Sequence, residues 1–163
     1  PRSTPLYSSA ASDVYKRQAL LYAADKAQHV HEVVRPGLAR GELVICDRYL
    51  DSMLAYQGAG RVLDLDEVAD VARWATDGLV PDLTVLLDLD PSEAVGTIAD
   101  PDRLEQAGDD FHQRVRWFFL ELAAREPARY LVLPARDSRQ HLAEQVRQRV
   151  GELLSPAAGR IGP

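Results

Sequence analysis

The chain has 163 residues, 46% of them hydrophobic and 27% charged, which fits one globular domain with a core of ordinary size. A net charge of −6 excludes a global basic field that would draw in nucleic acid, and one cysteine, Cys46, excludes an internal disulfide framework and suits a reducing cytosol. No apolar run is long enough to cross a bilayer as a helix, and the first residues lack the apolar centre of a signal peptide. Residues 1–18, PRSTPLYSSAASDVYKRQ, are polar and small and show no period, so disorder is expected there. From Ala19 the pattern changes. ALLYAADKAQHVHEVVRPGLARG puts Leu21, Ala24, His31, Val34 and Leu38 near helical spacing and predicts a helix over about 19–40. Pro36 should kink that helix or end its regular part, and Gly41 should stop it. ELVICDRY follows, an apolar run from Leu43 to Cys46 that ends abruptly in charge. It reads as a buried parallel strand opening into a site.

Residues 51–58 predict a short helix broken by Gly58 and Gly60, and Asp64 should cap a longer one reaching about Thr76. Pro81 announces a second buried strand, Leu83 to Leu89. Residues 91–99 begin like a helix that Gly96 and the ADPD run weaken. Asp109 to Arg125 predicts an amphipathic helix with Phe111, Val115, Phe118, Phe119 and Leu122 on one side. RYLVLPA is the third strand, residues 138–154 the last helix, and SPAAGRIGP from Ser155 an expected disordered tail. Strands alternating with helices predict an α/β fold with a parallel sheet. The order is odd in one respect: a doubly wound sheet rarely starts with a helix leading into a middle strand.

Ligands of open parallel sheets bind beyond the carboxyl ends of the strands, so the strand exits carry the chemistry. At the first exit Asp47 and Arg48 leave together, with Tyr56 and Gln57 about two helical turns later. The arginine offers a planar fork of donors for a phosphate, and the aspartate could hold a magnesium-bound water. A local Asp–Arg ion pair capping the strand is the alternative. At the second exit Asp88 and Asp90 suit a metal, but capping the next helix is the favoured reading. The third exit, LPARDSRQ, offers backbone groups. The sequence contains no GxxxxGK[ST], GxGxxG or GxSxG, and its four histidines and one cysteine have no zinc spacing. His29 and His31 are two apart and lie on different helix faces.

DRYLDSMLAYQGAGR resembles the signature of bacterial thymidylate kinases, the P-loop enzymes that phosphorylate dTMP. YAADKAQHVHEVVRPGLARG is similar to the helix before that signature, VPDLTVLLDLDPSEAV to the next core strand, and DRLEQAGDDFHQRVRWFFLELAAREPARYLVL to the lid and the helix after it. The resemblance covers about residues 19–153, in order. It implies a P-loop kinase-type parallel sheet flanked by helices and a reaction of ATP with dTMP, with Mg²⁺, in the cytoplasm. By resemblance, Tyr22 stacks on thymine, Arg48 contacts the dTMP phosphate with Asp47 beside it near the magnesium, and Tyr56 and Gln57 close on sugar and base. Arg103 matches a lid arginine near the donor phosphates, and Ala135 and Arg136 lie where the donor adenine rests. A homodimer is implied in the same way.

The departures from the family pattern are specific. Lys26 stands where an arginine is usual and Met53 where a small polar residue is usual, both on the acceptor side. The lid stretch GTIAD holds no arginine. Gly37 replaces an alanine, at a helix cost of about 1 kcal/mol. The resemblance also makes the fold incomplete, since the family's first strand, phosphate loop and second strand come before the ALLYAAD helix. DVYKRQ can be encoded by GATGTGTATAAGAGACAG, which closely resembles a transposon-end adapter used in DNA libraries. Residues 1–18 are therefore set aside as non-native, against the alternative of a natural extension, leaving 19–154 as a partial kinase-like domain. Three functions stay open: dTMP kinase, another P-loop nucleoside or nucleotide kinase, and a non-catalytic fragment.

Overall fold

The computed structural model describes residues 6–59, 63–94 and 108–155. It divides the chain into two compact units, Pro1–Val80 and Pro81–Pro163, where the sequence predicts one partial domain. Gly60, Arg103, the lid stretch 96–100 and the tail beyond Ser155 lie outside the described residues.

The first unit is helical. Helix α1 (Leu6–His29) runs unbroken through Gln18, so residues 6–18 are helical where disorder was expected. Extending an existing helix adds one hydrogen bond per residue fixed, far cheaper than nucleating a new one, and an Ala- and Ser-rich stretch opposes it little. The buried face of this helix also differs from the expected one. Leu21 is 71% exposed and Leu38 44%, while Ala19, Ala23, Val30 and Val34 are buried. Two alanines four residues apart let helix α4 (Leu65–Ala75) approach closely. Ala19 and Ala23 form one cluster with Met53, Leu63, Val68 and Ala72, against which Tyr15 packs.

Pro36 has no N–H to give to the helix ladder. The chain meets this with a π-helical turn at Val30–Val34 before helix α2 (Arg35–Ala39), so the regular α-helix ends at His29, ahead of the proline. Gly41, at φ +75°, ends the helix as its position foretold. Gly37 lies against the returning chain: a Cβ there would stand 2.9 Å from Val44 Cγ2.

Leu43 to Cys46 does not form the strand expected of it. The segment is irregular, with Leu43 63% and Ile45 86% exposed. A strand needs a neighbour to take its backbone groups, and no strand is described in this unit. Helix α3 (Leu50–Met53) and a second π-helical turn, Leu54–Ala59, follow. Asp64 caps α4 as expected, its carboxylate accepting from the amides of Asp66 (2.9 Å) and Glu67 (3.1 Å).

In the second unit, strands β1 (Thr84–Asp88) and β2 (Tyr130–Pro134) pair in parallel, Thr84 opposite Tyr130 and Asp88 opposite Pro134. Helix α5 (Pro91–Ala94) leaves β1. Helix α6 (Asp109–Arg125) buries Phe111, Val115, Phe118 and Ala123, the face its periodicity predicts. Helix α7 (Arg139–Leu154) starts at Ser138, whose hydroxyl accepts from the His141 amide at 3.2 Å. A parallel sheet with helices around it is the predicted architecture, reduced to two strands among the described residues.

Candidate functional site

The first unit gathers most of the acceptor-side candidates. Arg48 has φ +62°, a left-handed backbone that costs a residue with a Cβ roughly 1–2 kcal/mol. That conformation turns its guanidinium over the Tyr56 ring, 5.0 Å from the centroid. The next residue, Tyr49, is half-buried, and its hydroxyl donates to the Leu79 carbonyl at 3.2 Å. Burial pushes this phenol above its ordinary pKa. Lys26 Nζ lies 5.8 Å from the centre of the same Tyr49 ring. Two cations are thus held over two tyrosine faces by cation–π attraction.

Gln57 is 4% exposed, and its Oε1 is buried with no hydrogen-bond partner among the described residues. An orphan acceptor in a protein interior costs about 1–3 kcal/mol, so it marks a strained or ligand-facing position. It sits in the π-helical turn Leu54–Ala59, and such turns recur at functional sites. Tyr22 is 42% exposed and, with Gln18, Leu21 and Asp25, lines a shallow open groove of about 430 Å³. Gln18 belongs to the segment that the sequence sets aside. Asp47 is exposed beside Arg48.

Met53, on the same side, is turned inward. Its side chain is 4% exposed and belongs to the apolar cluster with Ala19 and Ala23. An unbranched thioether fills a gap between helices there.

On the second unit the strand-end acids resolve into structure. Asp90 caps α5, its carboxylate accepting from the Ser92 amide (3.0 Å) and hydroxyl (2.6 Å). Those two bonds, with Arg116 adding to them, hold its carboxyl below the ordinary range. Asp88 pairs with Arg116 through Nε (2.7 Å) and Nη2 (3.0 Å), while Nη1 reaches Asp90 at 2.5 Å. Capping, the favoured reading, thus describes Asp90, whereas Asp88 is ion-paired with Arg116 instead of capping. Sequence reasoning missed Arg116, which lies 28 residues from Asp88. The available signal was helical spacing, since Gln113, which reaches Asp90 at 3.3 Å, and Arg116 are three apart and share a face.

The donor-side candidates lie just beyond β2. The Ala135 amide donates to the Asp88 carbonyl at 2.8 Å, prolonging the ladder. Arg136 donates to the Glu93 carboxylate (3.1 Å) and carbonyl (2.5 Å). Among the described residues no three His, Cys, Asp or Glu side chains cluster as a metal site. No described helix is long and apolar enough to cross a membrane.

Comparison with known proteins fixes what this arrangement belongs to. The family profile described as thymidylate kinase matches residues 6–146, reaching back into the segment set aside. The chain is similar to the thymidylate kinase of Cutibacterium acnes, 61% identical over 155 residues, covering 95% of this chain and 72% of that one. It is 53% identical over 147 residues to that of Clavibacter sepedonicus, covering 88% and 70%. Among solved structures, the thymidylate kinase from Ehrlichia chaffeensis is similar with a TM-score of 0.61 at 26% identity, over 86% of this chain and 65% of that one. A profile match across most of the sequence, with relatives this close, places the chain in the thymidylate kinase family, the phosphotransferases that act on dTMP.

Proposed function

We propose that the first unit carries the acceptor half of a dTMP kinase site, serving the reaction of ATP and dTMP to ADP and dTDP. The observation that carries this reading is Arg48, held left-handed with its guanidinium over Tyr56, the residue before the orphaned Gln57 Oε1. A planar fork of donors in a fixed orientation suits the phosphate of a nucleoside monophosphate. Gln57 Oε1 is an acceptor suited to a donor on the bound nucleotide, such as a ring N–H or a sugar hydroxyl. Tyr22 presents an exposed ring for the base, and Lys26 a point charge beside it where the family has a fork.

Phosphoryl transfer is mostly positioning and charge neutralisation. In that division of labour Arg48 orients the acceptor, and Arg103 and Arg136 serve the ATP side, with Ala135 beside the adenine. The donor role of Arg136 requires it to leave Glu93. Mg²⁺ takes few protein ligands and keeps waters and substrate phosphates, so one exposed carboxylate, Asp47, fits an ion held through water. When bound, the ion would neutralise charge on the transferring phosphates. The 163 residues contain no GxxxxGK[ST], and we infer that this polypeptide binds dTMP without efficient turnover. A cytoplasmic location and a homodimer complete the reading. The exposed Leu20 (57%) and Leu21 (71%) of α1 supply an apolar strip for a second copy, which sedimentation would test. The adapter origin of residues 1–18 is a statement about DNA: genomic sequence across codon 19 is expected to lack the DVYKRQ codons.

Calorimetric titration of the chain with dTMP, dCMP, dGMP and dAMP tests the central reading. Binding selective for dTMP and weakened at least tenfold in Arg48→Ala is expected, since charge-assisted bonds contribute about 1.5–3 kcal/mol. Equal binding of all four would favour a different P-loop kinase substrate, for which Lys26 in place of arginine is the motive. Equal binding by wild type and Arg48→Ala would remove Arg48 from the site.

A further inference from the structure

Arg48 poses a mechanical question. A left-handed backbone at a residue with a Cβ persists only where its surroundings over-determine it. The cation–π contact with Tyr56 holds the far end of the side chain and leaves the peptide on either side of Arg48 unfixed. What fixes the chain must lie next to Arg48, and the structure offers a side-chain anchor there. Tyr49 reaches out of the loop and donates its O–H to the Leu79 carbonyl at 3.2 Å, thirty residues onward in the sequence.

The receiving turn is itself braced. Thr76 is fully buried and its hydroxyl donates to the Ala72 carbonyl at 3.0 Å. Arg35 reaches the carbonyls of Thr76 and Asp77, each at 3.4 Å. The turn after α4 is therefore tied both to its own helix and to α2. A phenol bonded to that turn holds the Tyr49 Cα, and with it the peptide that Arg48 shares. The opposite use of the same side chain is its ring, whose face carries Lys26 Nζ at 5.8 Å.

We propose that Tyr49 is the positioning residue of the acceptor site: its hydroxyl, bonded to the Thr76–Leu79 turn, holds Arg48 in its left-handed conformation over Tyr56, while its ring seats Lys26. The two jobs are separable, because the hydroxyl serves the arginine and the ring serves the lysine. This rests on the reading of Arg48 as the phosphate-binding residue, and the test keeps the two apart.

The experiment compares the full chain with Tyr49→Phe, by side-chain NMR and by dTMP calorimetry. Ring-current shifts mark the geometry without any ligand: Arg48 Hδ protons should be upfield from Tyr56, and Lys26 Hε protons upfield from Tyr49. Tyr49→Phe should move the Arg48 signals to random-coil positions, leave the Lys26 signals upfield, and weaken dTMP binding about tenfold, the effect of losing about one hydrogen bond's worth of orientation. Thr76→Val, close in shape, removes the hydroxyl that ties the receiving turn to the Ala72 carbonyl and should shift Arg48 the same way to a smaller extent. It also answers for Tyr49→Phe should that variant fail to fold. An Arg48 signal unchanged in both variants, or absent from upfield positions in the wild type, overturns the proposal. Wild type that shows the Arg48 shift, and loses it in Tyr49→Phe, yet binds no dTMP would support the positioning role and overturn the acceptor-site reading instead.

Discussion

Gly37→Ala sets helix propensity against packing, and the two predict opposite signs. Gly37 lies inside α2, where alanine in place of glycine ordinarily stabilises by roughly 0.8–1.0 kcal/mol. The added Cβ would stand 2.9 Å from Val44 Cγ2 and 3.3 Å from Glu42 Oε2. Carbon atoms rest at about 3.5–4.0 Å, so the gap must open by about 0.6–1.1 Å. Val44 has little freedom to give it. The Glu42 amide donates to the Gly37 carbonyl at 3.0 Å, and the Glu42 carboxylate is gripped by Arg40 Nε (2.6 Å) and Nη2 (2.9 Å). Overpacking of this kind costs about 1–3 kcal/mol. Subtracting the propensity gain leaves a net loss between nothing and about 2 kcal/mol. Urea unfolding followed by far-ultraviolet circular dichroism measures it, provided the denaturant slope is unchanged. Val44→Ala removes the obstructing methyl, so Gly37→Ala should cost less in that background, a coupling of about 1 kcal/mol or more. A stabilised Gly37→Ala variant, or zero coupling with Val44→Ala, would refute the packing argument.

Three further outcomes follow from named contacts. Asp64→Ala removes both amide partners at the start of α4 and should cost about 1 kcal/mol in urea unfolding, while Asp64→Asn, an equally good cap, should cost only a few tenths. Phe111→Ala empties a buried site on α6, 3% exposed, and should cost about 3–5 kcal/mol, visible as early loss of amide-exchange protection in α6 and β2. Asp90→Asn keeps a capping acceptor but loses the charge that Arg116 meets. Because the folded carboxyl is depressed, its stabilisation is complete above the ordinary value of 3.8 and is lost as pH falls through the lower folded value. The difference in melting temperature between wild type and Asp90→Asn should therefore be constant from neutrality to about pH 4 and close below it. A gap that widens in acid would reverse that sign.

What was legible in the sequence was what a segment decides for itself. The bounds 109–125 of α6 and its buried face were readable because Phe111, Val115 and Phe118 recur at helical spacing, and one face of one helix meets one neighbour. The Asp64 cap was readable because a carboxylate at that position bonds the amides two and three residues on. Leu43–Cys46 was misread for the opposite reason. An apolar run states that a strand would suit it, but a strand is a relation between two segments, and the second lies elsewhere in the chain or outside it. The outward turn of Leu21 is the same failure on a helix. Periodicity marks the largest side chains as inward, whereas close packing against α4 selected the smaller Ala19 and Ala23.

The site divides along the same line. Arg48, Tyr56 and Gln57 could be named as candidates because they lie in one stretch that resembles a family signature. The long-range braces could not, because such contacts act across the sequence: Tyr49 bonds a carbonyl thirty residues away, and Arg116 pairs with acids 26 and 28 residues away. Both are long polar side chains that leave their own segment to brace another, and both brace the exit of a segment that the sequence reads as a strand. Arg116 joins the two acids after β1, so the exit there is rigid by charge. Tyr49 joins the loop after Cys46 to the end of α4, so the exit there is rigid by a neutral hydrogen bond. The difference has a consequence. Salt screens charges that reach solvent more than it affects a hydrogen bond between neutral groups. Raising the ionic strength should therefore loosen the Asp90–Arg116 contact while leaving the Tyr49 anchor intact. Side-chain NMR across a salt titration measures both exits in one sample, and equal loss at the two would mean that Arg48 is held by charge after all.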